Sequence, residues 1–272
     1  MTLFEFYSTP SALHRLNPMA KMVGMVIVMS GATLYFDPII PGALTIGLML
    51  ALWLLGGAPL GLLLRWLLPA LGMGLPLAIF GALYFDVTRV VQPAVIGRLG
   101  PWLLTIEGLW SALGLGLRLG CFMAASLFFV ATTDPTDFAL SLIQQAHLPY
   151  RFGYGLLVAY RFLPLLRTEF ETIRVAHRVR GVGERAGLRG RFEQLRRYAI
   201  PLLAGAVRRS ERTALAMDSK AFGAGPGRTY RRVLRVTRRD YAFVLGTLAY
   251  TVAVVVLASQ IGVADMRLVP VA

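Results

Sequence analysis

One cysteine, Cys121, occurs in 272 residues, so the chain can form no internal disulfide and no cysteine-based zinc site. Histidine is almost as rare, and His14, His147 and His177 are too scattered to read as a metal motif. Lysine is limited to Lys21 and Lys220, neither of which follows the glycine-rich run of a phosphate-binding P-loop. Any ATP must therefore be handled by another chain. Charge itself is scarce: 15% of residues are charged against 56% hydrophobic, a balance that excludes an ordinary soluble domain and puts the chain in a membrane.

The charge that is present is lopsided, with 28 Lys and Arg against 14 Asp and Glu and a net charge of +14. It is also concentrated. The segment Thr132 to Asp240 holds 21 of the basic residues and 9 of the acids, a net of +12, and the remainder is nearly neutral and apolar.

A bilayer core of about 30 Å needs roughly 20 mostly apolar residues per helix, and five stretches qualify. Met19 to Phe36 tolerates Lys21 at its edge, where the stem can snorkel. Ile39 to Leu55 follows after the break at Asp37-Pro38, so the two form a tight helical hairpin. Trp66 to Phe85 contains Pro69 and Pro76, which kink a helix in lipid rather than abolish it. Gly108 to Ala131 and Tyr241 to Val263 are cleaner. Between them, Asp86 to Glu107 reads as a polar loop with a short apolar piece, Trp102 to Ile106, that cannot span. Ser30-Gly31-Ala32 offers small residues like those of a signal-peptide cleavage site, but a second apolar helix follows at once and Glu5 precedes the basic residues, so the first stretch reads as a retained span.

Lys and Arg asymmetry then sets the orientation. Four spans ahead of the basic segment place the N-terminus, the Gly56 to Arg65 turn and Thr132 to Asp240 in the cytoplasm, and leave Arg89, Arg98 and Arg267 outside. The expected organisation is 1–131 with four spans, 132–240 cytoplasmic or interfacial, and 241–272 with the last span and a short tail.

The basic segment carries apolar helix faces of its own. Asp134 to Ala146 opens on Asp-Pro, a good helix start, and ends before His147-Leu148-Pro149. From Gly155, the apolar positions Leu156, Tyr160, Leu163, Leu166, Phe170 and Ile173 recur every three or four residues, which predicts an amphipathic helix ending at Gly181 and Gly183. A second runs from about Phe192 to Phe222, and its 31 residues would reach roughly 46 Å. Two readings suit such a pair: interfacial helices whose arginines meet anionic head groups, or a lever that docks on a soluble partner. Arg118 lies mid-span, where a charge is expensive and often functional. The small residues Gly72, Gly74, Gly81, Gly114, Gly116 and Gly120 read as helix-packing positions.

The order of motifs resembles the transmembrane T component of energy-coupling factor (ECF) transporters, ABC-type importers of vitamins and of cobalt or nickel ions. Leu13-His14-Arg15-Leu16-Asn17-Pro18-Met19-Ala20-Lys21 is similar to the family's pre-helix signature, and Thr132-Thr133-Asp134-Pro135 to the opening of its first coupling helix. Tyr160 to Leu166 with Ala176 to Gly181, and Arg209 to Arg212 with Ala216 to Gly223, resemble the next two. The family carries an Ala-Arg-Gly signature at the end of each long coupling helix, taken as the contact with one ATPase subunit. Here the corresponding triplets are Val179-Arg180-Gly181 and Ser219-Lys220-Ala221. The second has an ammonium where a guanidinium would make a two-pronged contact, and lacks the glycine, so Arg180 is expected to matter more than Lys220.

The resemblance implies an all-α polytopic membrane protein of about five spans with long amphipathic coupling helices. It also implies a non-catalytic subunit without cofactor or metal, in a bacterial or archaeal cytoplasmic membrane. Its partners would be two ATP-binding ABC subunits, a substrate-binding membrane S component and membrane lipids, with no nucleic acid. The S component holds the vitamin or metal ion. The competing class, a membrane enzyme acting on phosphorylated lipids or polyprenols, needs convergent carboxylates, and Asp134, Asp137, Glu169, Glu171, Glu184, Glu193, Glu211 and Asp218 show no paired catalytic spacing.

Overall fold

A computed structural model describes residues 11, 13–35, 37–84, 95–99, 102–181, 187–223, 225, 230 and 232–260. A short turn at Leu13–Arg15 leads into α1 (Pro18–Leu34), α2 (Ile39–Leu54) and α3 (Leu60–Leu83). A hairpin of β1 (Val95–Leu99) and β2 (Trp102–Thr105) precedes α4 (Ile106–Thr132) and α5 (Pro135–Gln144). Then come α6 (Tyr150–Val179), α7 (Leu188–Asp218) and α8 (Arg238–Gln260). Among the described residues the architecture is all-α apart from that hairpin, in which Val95 faces Thr105 and Leu99 faces Trp102. The region expected as an irregular loop is thus partly paired: its short apolar piece finds a partner strand for its backbone groups. Contacts divide the chain into two compact units, residues 1–141 with 234–272, and residues 142–233.

In the first unit α3, α4 and α8 are long and apolar enough to cross a membrane, while α1 and α2 are apolar but shorter. Asn17 starts α1, its side chain accepting the Met19 N–H at 2.9 Å, with Pro18 in the first helical position where no N–H is needed. Buried residues on α1 fall at Lys21, Gly24, Met25, Val28, Gly31 and Ala32, one stripe at helical spacing. Gly24 and Gly31 of that stripe lie against Phe243 and Thr251 of α8, while Met25, Val28 and Ala32 share a core with Cys121, Ala124, Ala125 and Phe128 of α4, Phe128 being stacked on Phe243. Small side chains let helices approach closely. A Cβ on Gly74 would lie 2.8 Å from the Gly116 carbonyl oxygen, so α3 and α4 meet backbone to backbone, and Gly81 faces Ala112 and Leu115. The outward faces of α1 to α3 are apolar, with Val26, Ile46, Leu54, Leu68, Met73 and Phe80 exposed as lipid-facing side chains would be.

Several charged residues inside this unit have definite partners. Arg118 donates from Nε to the Ala32 carbonyl at 2.9 Å and from Nη2 to that of Tyr35 at 2.5 Å, so it caps the end of α1, whose last carbonyls lack helical partners. Lys21 does not snorkel, contrary to the sequence expectation. It is 1% exposed, and its Nζ donates to the Thr132 carbonyl at 2.6 Å, at the last residue of α4. Asp137 and Asp240 are the carboxylates whose charge it feels. Asp240, itself buried, accepts the Asn17 N–H at 2.7 Å through Oδ1, and through Oδ2 the N–H and hydroxyl of Thr237 at 2.7 and 2.8 Å.

The second unit holds the end of α5, α6 and α7. Gly153 is buried under Ile143, which leaves no room for a Cβ and brings the start of α6 against α5. The long helices are shifted from expectation. α6 begins at Tyr150, ahead of Gly155, because Pro149 sets the start and Tyr150 and Tyr154 pack on Phe222. α7 has the expected 31 residues but runs from Leu188 to Asp218 rather than from Phe192 to Phe222.

Candidate functional site

Helices α6 and α7 lie antiparallel. Phe222, just past the end of α7, sits edge-on between Tyr150 and Tyr154 at the start of α6, with ring centroids 5.7 and 5.6 Å apart. Near the middle Arg209 meets Glu169 at 2.8 Å, and its guanidinium lies 5.9 Å from the Phe162 ring. Toward the other end Tyr198 packs against Phe170 and His177. Gly205 lies under the Glu169 carboxylate, where a Cβ would displace it. Thr168, Thr172, Ser210 and Thr213 return their hydroxyls to their own helix carbonyls and leave these contacts to the rings and the ion pair.

The two helix ends carry the six residues singled out by sequence, and the pair does not bring them together. Arg180 lies beyond the end of α6 and Lys220 beside its start, so the tips are separated by roughly the length of a 30-residue helix, on the order of 40 Å. Locally the tips are alike. The ten residues ending at Arg180 and the ten ending at Lys220 have the same pattern of exposure, with Ile173 and His177 matched by Thr213 and Met217 as the half-buried positions. Arg180 and Lys220 are both exposed, and Val179 is 82% exposed beside Arg180.

Each helix stops in the same way. Gly181 is left-handed at φ 73°, its N–H reaching the Arg178 carbonyl at 3.0 Å, while the Arg180 N–H bonds Ala176 at 3.3 Å. Ala221 is also left-handed, at φ 55°, with its N–H on Asp218 at 2.9 Å. The Phe222 N–H closes back on the Met217 carbonyl at 3.0 Å, which completes a Schellman turn. The Ser219 hydroxyl donates to Ala216 at 3.0 Å. The second tip thus makes the left-handed turn without a glycine: Ala221 adopts it at a cost of about 1 kcal/mol. Phe222, seated between the two tyrosines, holds the turn in place. What still separates the tips is the head group, a planar fork at Arg180 against a point charge at Lys220.

Sequence reasoning missed the Glu169–Arg209 pair and the Tyr150, Tyr154 and Phe222 cluster, since each joins residues far apart in the chain. The only local signal was an acid facing the apolar side of its helix. Gly74, Gly81, Gly114, Gly116 and Gly120 serve helix packing as expected, whereas Gly72 faces open space. Among the described residues no cluster of His, Cys, Asp and Glu could hold a metal ion.

A family model described as CbiQ, cobalt transport protein, matches residues 10–230. The energy-coupling factor transporter transmembrane protein EcfT of Heliobacterium modesticaldum is 29% identical over 251 residues, covering 89% of this chain and 91% of that protein. EcfT of Thermotoga maritima is 28% identical over 261 residues, covering 92% and 91%. A Bifidobacterium longum protein named as an ABC transporter ATP-binding protein is 28% identical over 257 residues, but the chain, matched over 91% of its length, spans only 32% of that protein.

Proposed function

The chain belongs to the CbiQ family of cobalt transport proteins, and from that membership we propose that its two long helices are levers whose tips each engage one ATP-binding subunit. The chain is the non-catalytic transmembrane T component of an ECF-type ABC importer, and its membrane helices carry the motion to a substrate-binding S component that holds a vitamin or transition-metal ion. Residues 1–131 and 241–272 serve as the membrane part and 132–240 as the coupling part. The membrane-enzyme alternative has no support.

One observation carries the reading. A single chain presents two tips of the same local geometry, each a cation followed by a left-handed residue, at opposite ends of an antiparallel pair. Two like ends far apart suit two like partners. Val179-Arg180-Gly181 offers an exposed apolar side chain and a fork of donors, the combination that seats in a groove and pairs with a carboxylate. Ser219-Lys220-Ala221 offers the weaker version. Packed helices are stiff, so displacement of a tip reaches the far end of its helix.

Placement follows the charge. Five spans in a bacterial or archaeal cytoplasmic membrane, with the N-terminus inside, put the arginines in the cytoplasm. Arg235 just before α8 and Arg238 and Arg239 in its first turn are exposed, beside exposed Val236 and Tyr241, a composition suited to anionic head groups at the bilayer surface. The test is detergent extraction of the tagged chain from its native membrane and identification of what comes with it. Two ATP-binding subunits per chain and one small membrane protein are expected; a chain recovered alone under conditions that preserve other ABC complexes would refute the reading.

A further inference from the structure

The chain leaves the first unit between Ser141 and Leu142 and returns to it between Val233 and Leu234. Those two passages are the covalent links between α6 and α7 and the membrane helices. Near both, inside the first unit, lies a cluster of hydrogen bonds around the buried Lys21 and Asp240. On the outgoing side Lys21 binds the carbonyl of Thr132, the last residue of α4, and feels the charge of Asp137 in the first turn of α5. On the returning side Thr237 donates two hydrogen bonds to Asp240, whose other oxygen takes the Asn17 N–H. Asn17 and Lys21 are one turn apart on α1, so the start of that helix ties the exit from α4 to the entry into α8.

Such a knot has a mechanical consequence that packing alone lacks. An apolar contact lets side chains slide past one another, whereas a buried hydrogen-bonded charge has few alternative partners and holds its geometry. Lys21 is 1% exposed and Asp240 2%, so both charged groups are held out of water although Thr237 itself is exposed. Nothing in the coupling-helix tips requires a buried lysine in α1.

We propose that Lys21 and Asp240 form the fulcrum of the transporter, a positioning pair through which movement of α6 and α7 is passed to the membrane helices instead of being lost in the passages. The proposal rests on the lever reading of the tips. It concerns what lies between the tips and the membrane helices, and neither residue touches ATP or the transported molecule.

The experiment uses the complete complex in vesicles and measures uptake per ATP hydrolysed, at equal amounts of assembled complex. A residue that only stabilises the fold lowers the amount of complex and leaves that ratio unchanged. Lys21→Met keeps the apolar stem and deletes the ammonium, and the ratio should fall on the order of tenfold while ATP hydrolysis persists. Thr237→Val removes one donor to Asp240 and no charge, and should lower the ratio about threefold. If Lys21→Met fails to assemble, Thr237→Val decides. Arg180→Glu serves as the control for the underlying reading: loss of ATPase association there, together with an unchanged ratio in both other variants, would overturn the fulcrum and spare the levers. No effect of Arg180→Glu would overturn the levers and the fulcrum with them.

Discussion

Glu169→Ala in α6 should loosen the lever pair, and its cost can be worked from the geometry. The carboxylate and Arg209 are 2.8 Å apart, a separation at which two unit charges attract by roughly 6 kcal/mol at an effective dielectric of about 20. Both side chains are about a quarter exposed, so part of that attraction is offset by lost hydration and side-chain ordering. A charge-assisted hydrogen bond of this kind nets about 1.5 to 3 kcal/mol. The Arg209 guanidinium keeps its position near the Phe162 ring, which retains some of the loss. A cost near 2 kcal/mol corresponds to about thirtyfold faster hydrogen exchange of the amides that α6 and α7 protect together. Gly205→Ala offers an independent route to the same end, because its new methyl group pushes on the carboxylate from α7. The assay is hydrogen exchange on the detergent-solubilised chain carrying Glu169→Ala, Arg209→Ala or both. A coupling energy of about 1 to 2 kcal/mol in that cycle is expected. Strict additivity of the two single substitutions would refute a direct interaction between Glu169 and Arg209.

Other consequences follow from the turns, the cap and one buried acid. Ala221→Gly should stabilise the end of α7 by up to about 1 kcal/mol, and Gly181→Ala should destabilise the end of α6 by as much, both read as local exchange rates. Arg118→Met strips the donors from the Ala32 and Tyr35 carbonyls and should lower the detergent-state melting temperature through a loss of about 2 kcal/mol, with no change in ATPase association. Burial raises the Asp37 carboxyl above the usual carboxylate range, against the pull of the Ile39 N–H and the Trp110 side chain. Its folded-state value therefore exceeds the unfolded one, the folded chain binds the extra proton, and this contribution favours folding at low pH and is lost as pH rises through that range. Asp37→Asn keeps an acceptor for the Ile39 N–H, at 3.3 Å in the unmodified chain, and should flatten that part of the stability profile.

Membrane helices were readable because lipid demands a long apolar run whatever the tertiary structure, and the expected spans fall on α1 to α4 and α8. Their ends were less readable. α3 extends back to Leu60 past Arg65, since a helix need not stop where the hydrocarbon does. The hairpin at Val95–Thr105 was hidden because strand pairing is a relation between two short segments, neither informative alone. Lys21 was misread for a similar reason: its hydrogen-bond acceptor is 111 residues away, and in the local sequence a lysine near a span end looks like one that snorkels. At the second tip, Ala221 takes the left-handed turn although alanine disfavours it. A cluster formed with residues some seventy positions upstream overrides that local preference, as Phe222 against Tyr150 and Tyr154 makes plain.

The central claim is that two helix tips carry the coupling and that Arg180 carries more of it. Vesicles containing the chain with its ATP-binding subunits and S component should lose ATP-driven uptake with Arg180→Glu, with ATPase association weakened by on the order of 2 to 5 kcal/mol and membrane insertion intact. Lys220→Ala should give a partial loss of both. Uptake and ATPase association at the level of the unmodified chain in both variants would contradict the account and leave α6 and α7 as interfacial helices.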